Sequence, residues 1–273
     1  MEKARIYTIV GVLLTAIIFM GGIGFATKCY LDSRPVAFND PALEQAVYAS
    51  IGYDRPITHK EAREIVSLDL SLMEGYSKEI TDLTGLSSFG NLKKLNLANN
   101  MITDISELRK LKKLEMLHLE GNEISDVSGL GSLVKLEFLD LEGNKVSDIS
   151  ALRRLKALSV LDLRGNMISD ISSLSAMLAM GCLYIGNNEI SDIAPLEPLV
   201  KMEYLSMGDN RIDDISPIGG MKALHHLLVG NNRIKDISVL GELPGLEYLD
   251  VQGNPIDTGF TLEDLPESCT VIQ

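Results

Sequence analysis

Aspartate recurs at a constant spacing, and a row of carboxylates is a pattern that can bind calcium. The column consists of Asp104, Asp126, Asp148, Asp170, Asp192, Asp214 and Asp236, one every 22 residues. Each aspartate stands two residues before a serine or an alanine, where a turn would begin. A carboxylate at such a place can accept backbone N–H bonds, as it does at the start of a helix. We therefore predict a structural role for this column rather than a metal site.

Histidine and cysteine, the other residues that bind metals or act as nucleophiles, are few. The histidines are His59, His118, His225 and His226, and the cysteines are Cys29, Cys182 and Cys269. Adjacent strand residues face opposite ways, so His225 and His226 cannot easily bind one metal ion. Neither a zinc-type spacing nor a disulfide framework is visible, and we expect free thiols. Since no nucleophile–base set or phosphate-binding loop is present either, the sequence predicts no enzyme activity, no metal and no cofactor.

The elements that position these residues follow from a second column, of asparagines. It consists of Asn100, Asn122, Asn144, Asn166, Asn188, Asn210, Asn232 and Asn254. A fixed period of 22 residues predicts a repeat solenoid, and we call each period a coil. In each coil an alternating segment such as Leu139-Asp140-Leu141 predicts a short strand. The following asparagine offers a donor pair and an acceptor to backbone groups of its own and neighbouring coils, where an unpaired buried group costs about 1–3 kcal/mol.

The shared frame, L-x-x-L-x-L-x-x-N-x-I-x-D-I-x-x-L, resembles the leucine-rich repeat. Its length and its I-x-D-I half are similar to the bacterial internalin type, and the likeness covers residues 39 to about 257. The resemblance implies an α/β repeat solenoid, a right-handed curved superhelix. A parallel β-sheet would form the concave face, 3-10 or turn segments the convex face, and helices an N-terminal cap. The same length also occurs in a eukaryotic regulator of protein phosphatases, so the resemblance specifies the fold and leaves the ligand open.

The chain divides into five predicted segments. They are 1–29, a membrane anchor or signal segment; 30–39, a linker; 40–64, a helical cap; 65–256, the repeats; and 257–273, a C-terminal cap. Residues 6–26 contain no charge and, as a helix, are long enough to cross a bilayer core of roughly 30 Å. An uncleaved anchor and a signal peptide cleaved after Ala26 both fit this stretch, and both would export the repeats.

Two further features concern the helical cap and the first coil. Asp40 with Pro41 predicts the start of a cap helix that ends at Gly52, and Thr58 with Glu61 forms a capping box for a second helix. The first coil is five residues longer than the others, and we expect the extra residues at 73–78.

The concave face is where the copies differ most, and three positions per coil are expected to be exposed there. The predicted ligand-binding residues are Met116, His118, Glu120, Phe138, Asp140, Glu142, Asp162, Arg164, Tyr184, Tyr204, His226, Leu228 and Tyr248. The first half of this face is acidic. The second half is aromatic and is accompanied by Gly186, Gly208 and Gly230, which leave room for a ligand's backbone. The pattern predicts a protein or peptide ligand with a basic segment over the first half.

The net charge of the chain limits the classes of partner that we expect it to bind. The net charge is −13, and because residues 1–34 carry +2, the remainder carries −15. So acidic a body repels phosphate backbones, and we expect neither nucleic acid nor a small-molecule substrate. The leading functional prediction is an exported, membrane-tethered binding module, with cell-surface adhesion as the role that the resemblance suggests. An intracellular scaffold of the phosphatase-regulator kind and a structural envelope protein are the alternatives.

Overall fold

The computed structural model describes residues 31–72, 79–257, 265–266 and 269–272. The predicted membrane segment, 6–26, and the predicted extra residues of the first coil, 73–78, lie outside the described residues. Within the described ranges, no helix combines the length and the apolar character needed to cross a membrane.

Two short helices cap the N-terminal end of the repeats, and their boundaries follow from the side chains at their ends. Helix α1 (Pro41–Ile51) begins where the Asp40 side chain accepts a bond from the Ala42 N–H at 2.8 Å, and it ends at Gly52 with φ of 71°. Helix α2 (His59–Ala62) begins with the predicted capping box of Thr58 and Glu61. The second carboxylate oxygen of Asp40 accepts the Thr81 N–H at 2.8 Å, which joins the cap to the first coil. The predicted helix starts are therefore confirmed.

The strands of the described residues form one parallel sheet in chain order. They are β1 (Ser67–Asp69), β2 (Lys94–Asn96), β3 (Met116–His118), β4 (Phe138–Asp140), β5 (Val160–Asp162), β6 (Cys182–Tyr184), β7 (Tyr204–Ser206), β8 (His226–Leu228), β9 (Tyr248–Asp250) and β10 (Thr270–Ile272). From β2 to β9 each residue pairs with the residue 22 positions later, as His118 does with Asp140. Every position on the sheet therefore lies beside its own counterpart in the next coil. The C-terminal strand β10 adds to β9 at the end of the sheet.

Short 3-10 helices alternate with the strands and form the opposite side of the solenoid. They are Leu86–Ser88, Ser106–Lys110, Ser128–Ser132, Ser150–Arg154, Ser172–Ala176, Ala194–Leu196, Ser216–Gly220 and Ser238–Glu242. Each aspartate of the column precedes one of them and accepts a backbone N–H two residues on, as Asp148 does from Ser150 at 2.8 Å. The bond reaches the first residue of the 3-10 helix, so the aspartate lies one residue before the formal N-cap. The predicted structural role of this column is confirmed.

The asparagine column forms the hydrogen-bonded seam between coils. The Nδ2 atom of Asn144 donates to the Leu119 carbonyl of the preceding coil at 2.9 Å and to the Leu141 carbonyl of its own coil at 3.1 Å. Its Oδ1 atom accepts the Ile124 N–H of the preceding coil at 3.0 Å. All eight asparagines accept from and donate to the preceding coil in this way. The prediction that one side chain serves backbone groups of two coils is confirmed.

The residue immediately before each of these asparagines has a left-handed backbone. These residues are Asn99, Gly121, Gly143, Gly165, Asn187, Asp209, Asn231 and Gly253, with φ between 53° and 70°. Glycine, asparagine and aspartate are the residues that adopt this conformation with least strain. The chain therefore uses only suitable residues at the point where it turns away from the strand.

The interior between the sheet and the 3-10 helices is a continuous apolar core. In the coil of β4, the side chains of Leu139, Leu141, Ile149 and Leu152 are at most 1% exposed. The two described cysteines, Cys182 and Cys269, are free thiols, as predicted, and burial raises the pKa of both. Cys29 lies outside the described residues.

Candidate functional site

The concave face of β3 to β9 carries the candidate site, but its residues are less exposed than the sequence predicted. Most of the predicted ligand-binding side chains are half-buried, and Asp162 is only 5% exposed. Ala98, which is equivalent to Glu120 and Arg164 of later coils, is 3% exposed. The expectation of three exposed positions per coil is therefore wrong. The physical reason is the register: strands about 4.8 Å apart bring equivalent side chains into contact, and the larger ones cover the smaller.

An aromatic ladder occupies the second half of the face and consists of Tyr184, Tyr204, His226 and Tyr248. The centroids of successive rings are 4.9, 5.4 and 6.0 Å apart, with interplanar angles of 36°, 22° and 26°. Ring pairs at these separations attract one another beyond the burial of their area. The ladder is therefore a preformed surface that is partly shielded from solvent. This burial raises the pKa of Tyr184 and Tyr204.

A groove runs beside the ladder along the glycine column. Its volume is about 520 Å³, and its lining includes Gly186, Gly208, Gly230, Ser206 and Leu228. This space agrees with the prediction that the glycines leave room for a ligand's backbone. The glycines also let the coils approach closely, because a Cβ atom added to Gly208 would lie 3.1 Å from the Gly230 carbonyl oxygen.

The first half of the face holds an acidic cluster, which we define as His118, Glu120, Asp140, Glu142, Asp162 and Arg164. Arg164 is its central cation. Its Nη2 atom donates to Asp162 at 2.6 Å and to Glu142 at 2.7 Å, and its Nε atom donates to both oxygens of Asp162. The guanidinium also lies 5.3 Å from the centre of the Tyr184 ring, which joins the cluster to the ladder. Asp162 is thus bonded to Arg164 and turned away from solvent, contrary to the exposed position expected for it.

Asp140 is the most perturbed carboxylate of the cluster. Burial, together with the negative charges of Asp162, Glu120 and Glu142, raises the pKa of Asp140 from 3.8 to about 7, although its carboxylate accepts the Glu142 N–H at 2.9 Å. The like charges therefore oppose ionisation of Asp140 near neutral pH.

His118 is held at the edge of the cluster nearest the N-terminal cap. Its ring lies 4.6 Å from the Phe138 ring, and its Nδ1 atom lies 3.6 Å from Oε2 of Glu120. Side-chain ligand atoms of His118, Glu120 and Asp140 all lie within 4.8 Å of one another. A zinc-type sequence spacing does not pair a histidine with carboxylates 2 and 22 residues later, so this group was not predicted from the sequence. The 22-residue register, which pairs His118 with Asp140, could have identified it.

A curved parallel sheet with varied side chains over a uniform apolar core defines a class of protein, the repeat solenoid that binds partners on its inner face. The sequence pattern of the family described as "Leucine Rich repeats (2 copies)" matches residues 90–132, 134–176, 182–220 and 222–266. Because these matches cover more than half of the chain, the chain belongs to the leucine-rich repeat family. Proteins of this family are typically non-catalytic binding modules.

Solved structures extend the comparison. The chain is 28% identical to an internalin (inlF) of Listeria monocytogenes, with a TM-score of 0.72, over 86% of this chain and 75% of that one. It is also 28% identical to an internalin C2 of the same species, with a TM-score of 0.69, over 86% and 93% of the two chains. The leucine-rich-repeat ectodomain of a plant receptor kinase from Arabidopsis thaliana shares the fold, with 23% identity, a TM-score of 0.62, and coverage of 72% and 25%.

A search of curated proteins gives no significant match. The family match and the similarity to solved internalins show that the chain is a leucine-rich-repeat interaction module similar to internalins. The predicted resemblance and fold class are confirmed.

The raised pKa of Asp140 predicts a pH-dependent stability. The folded state holds this proton more tightly than the unfolded state, so the free energy of unfolding falls as pH rises from about 4 to about 7. Asp140→Asn removes the buried negative charge. At pH 8 the variant should be more stable than the wild type by about 1–2 kcal/mol, after a discount for solvent screening. The difference should disappear near pH 4. Urea unfolding followed by circular dichroism measures the free energy of unfolding of both proteins at the two pH values. EDTA is present to remove metal ions.

Asp148→Asn is the matched control on the convex side. The backbone and side-chain bonds from Ser150 lower the pKa of Asp148, so this substitution removes no penalty at high pH. Equal stabilities of wild type and Asp140→Asn at pH 8 would contradict the assigned environment of Asp140.

Proposed function

We propose that this chain is a non-catalytic, exported and membrane-tethered module that binds a protein or peptide ligand on its concave face, between β3 and β9. The observation that carries the proposal is the aromatic ladder of Tyr184, Tyr204, His226 and Tyr248. Its rings lie at 4.9 to 6.0 Å intervals, next to a groove of about 520 Å³.

The ladder has the properties of a binding hot spot. Tyrosine side chains contribute a large contact area with few rotatable bonds, and they dominate the binding energy of many interfaces. The rings already stack on one another, so little conformational entropy remains to be lost when a ligand binds. The groove beside them is lined by Gly186, Gly208 and Gly230, where an extended segment could approach the sheet closely. The ladder and the groove together favour an extended peptide or a protein loop.

The acidic cluster supports the second part of the proposal, a basic segment in the ligand. Four carboxylates face a single cation, Arg164, so the region keeps an excess of negative charge. Such a surface steers positively charged partners toward it and selects against acidic ones. A ligand that is basic at one end and apolar at the other would bind in one orientation along the face.

Export and tethering are proposed from the uncharged stretch at 6–26, which lies outside the described residues. Its length suits a bilayer-crossing helix, and the module would then stand at the cell surface. Similarity to internalins of a bacterium motivates a bacterial origin and a role in adhesion.

Replacement of Tyr204 and Tyr248 by alanine tests the binding surface. A cross-linker applied to whole cells first captures the partner, and the affinity of the purified partner is then measured by calorimetry. The double variant should bind about 30- to 1,000-fold more weakly, equivalent to roughly 2–4 kcal/mol, because two hot-spot rings are lost. Far-UV circular dichroism should be unchanged. Tyr53→Ala, in the helical cap, is the matched control and should bind like the wild type. An affinity of the double variant equal to that of the wild type would exclude the concave face as the binding surface.

Protease treatment of intact cells tests export. If the repeats lie outside the membrane, added protease should degrade them without prior lysis, while a cytoplasmic marker stays intact. Protection of the repeats until lysis would instead favour the intracellular scaffold.

A further inference from the structure

We propose that His118, Glu120 and Asp140 form a binding site for a divalent transition-metal ion, with zinc as the best-suited ion. The site lies on the concave face across β3 and β4, beside the proposed ligand surface. It is a separate property of the chain, because the metal ion alone is the ligand and no protein partner is needed.

The backbone brings the three side chains together. His118 and Asp140 are paired across the parallel ladder, and Glu120 follows His118 by two residues, so that it extends the same face. Their ligand atoms lie within 4.8 Å of one another. Zinc bonds of about 2.0–2.2 Å place tetrahedral ligand atoms about 3.4 Å apart, so side-chain rotations that bring these atoms closer by at most about 1.4 Å would close the site.

The neighbours of the three residues hold them near this arrangement. The Phe138 ring packs on the His118 ring at 4.6 Å and restricts its rotation. One carboxylate oxygen of Asp140 accepts the Glu142 N–H, which fixes the carboxylate and leaves its second oxygen available for a cation. Such outer contacts orient metal ligands in known sites.

An independent observation marks the same place. Oε2 of Glu120 is shielded from solvent and accepts no hydrogen bond. A shielded carboxylate oxygen that accepts no hydrogen bond is unfavourable by about 1–3 kcal/mol. A cation bound between Glu120 and His118 would satisfy this oxygen, whereas solvent does not reach it.

The chemistry of the donors favours zinc over calcium or magnesium. An imidazole nitrogen suits zinc, copper and nickel, whereas calcium and magnesium prefer oxygen ligands alone. A second group, Asp140 with Glu142 and Asp162, lacks a nitrogen donor, and two of its members already form salt bridges with Arg164. The geometry therefore points to the group that contains His118.

Three protein ligands leave one tetrahedral position open to solvent. A bound zinc ion would offset the charges of Glu120 and Asp140, so the metal-loaded face would be less acidic than the metal-free face. The open position could accept a carboxylate or an imidazole from the protein ligand. Metal loading would thereby change which partners suit this half of the face.

Zinc titration of the untagged full-length chain, after removal of metals with EDTA, tests the proposal. Calorimetry should detect a site that binds one zinc ion per chain and that prefers zinc to calcium. His118→Ala and the near-isosteric Glu120→Gln should each weaken zinc binding by about tenfold or more. His225→Ala, which removes a histidine outside the group, is the matched control and should bind zinc like the wild type.

A second measurement keeps the test valid if a variant folds poorly. The X-ray absorption spectrum of the zinc-loaded wild type should fit one imidazole nitrogen among oxygen ligands at about 2.0–2.2 Å. Absence of zinc binding in the wild type would overturn the proposal and leave His118 and Glu120 as neighbouring side chains of the concave face. Unchanged binding in both His118→Ala and Glu120→Gln, or a sulfur-containing zinc spectrum, would also overturn it.

Discussion

The structure depends on the hydrogen bonds that each asparagine makes to the preceding coil. A chain that turns away from a strand every 22 residues leaves carbonyl and N–H groups without ladder partners, in an interior that water does not reach. One amide, as in Asn144, donates to carbonyls of two coils and accepts an N–H of the preceding coil. The aspartate column does the equivalent work at the 3-10 helices, within a single coil. These bonds hold adjacent coils in a single register.

The functional face is a consequence of that register. Because equivalent positions lie side by side, a side chain on the face packs against its counterpart in the next coil and is only partly exposed to solvent. Aromatic residues in neighbouring coils become a stacked ladder from Tyr184 to Tyr248, and carboxylates in neighbouring coils become a cluster with a perturbed pKa at Asp140. The same packing brings His118 and Glu120 of one coil to Asp140 of the next. The binding properties of the face therefore depend on the stacking of several coils. No single coil has these properties.

The sequence could predict what depends on period and on local capping. Leucine spacing, Asn144 and its equivalents, Asp148 and the Thr58 capping box each have one favoured structural role, so the fold and the helix starts follow from them. The candidate site was predicted less completely, because each position was treated as independently exposed. The burial of Asp162 against Arg164 of its own coil, and the grouping of His118 with Asp140 of the next coil, depend on side-chain contacts that a repeat period does not specify. The register predicts which residues are neighbours, but not which of them bond.

The central claim, that asparagine amides join the coils, is tested most directly at two adjacent asparagines, of which Asn188 is half-buried. Asn188 bonds to the Leu163 carbonyl and the Ile168 N–H of the preceding coil, whereas its neighbour Asn187 is exposed in a left-handed turn with φ of 53°. Urea unfolding of Asn188→Ala should show a loss of about 2–4 kcal/mol, because backbone groups of two coils lose their partners. Asn187→Gly should change stability by less than about 1 kcal/mol, since glycine adopts the same turn. Equal effects of the two substitutions would contradict the account.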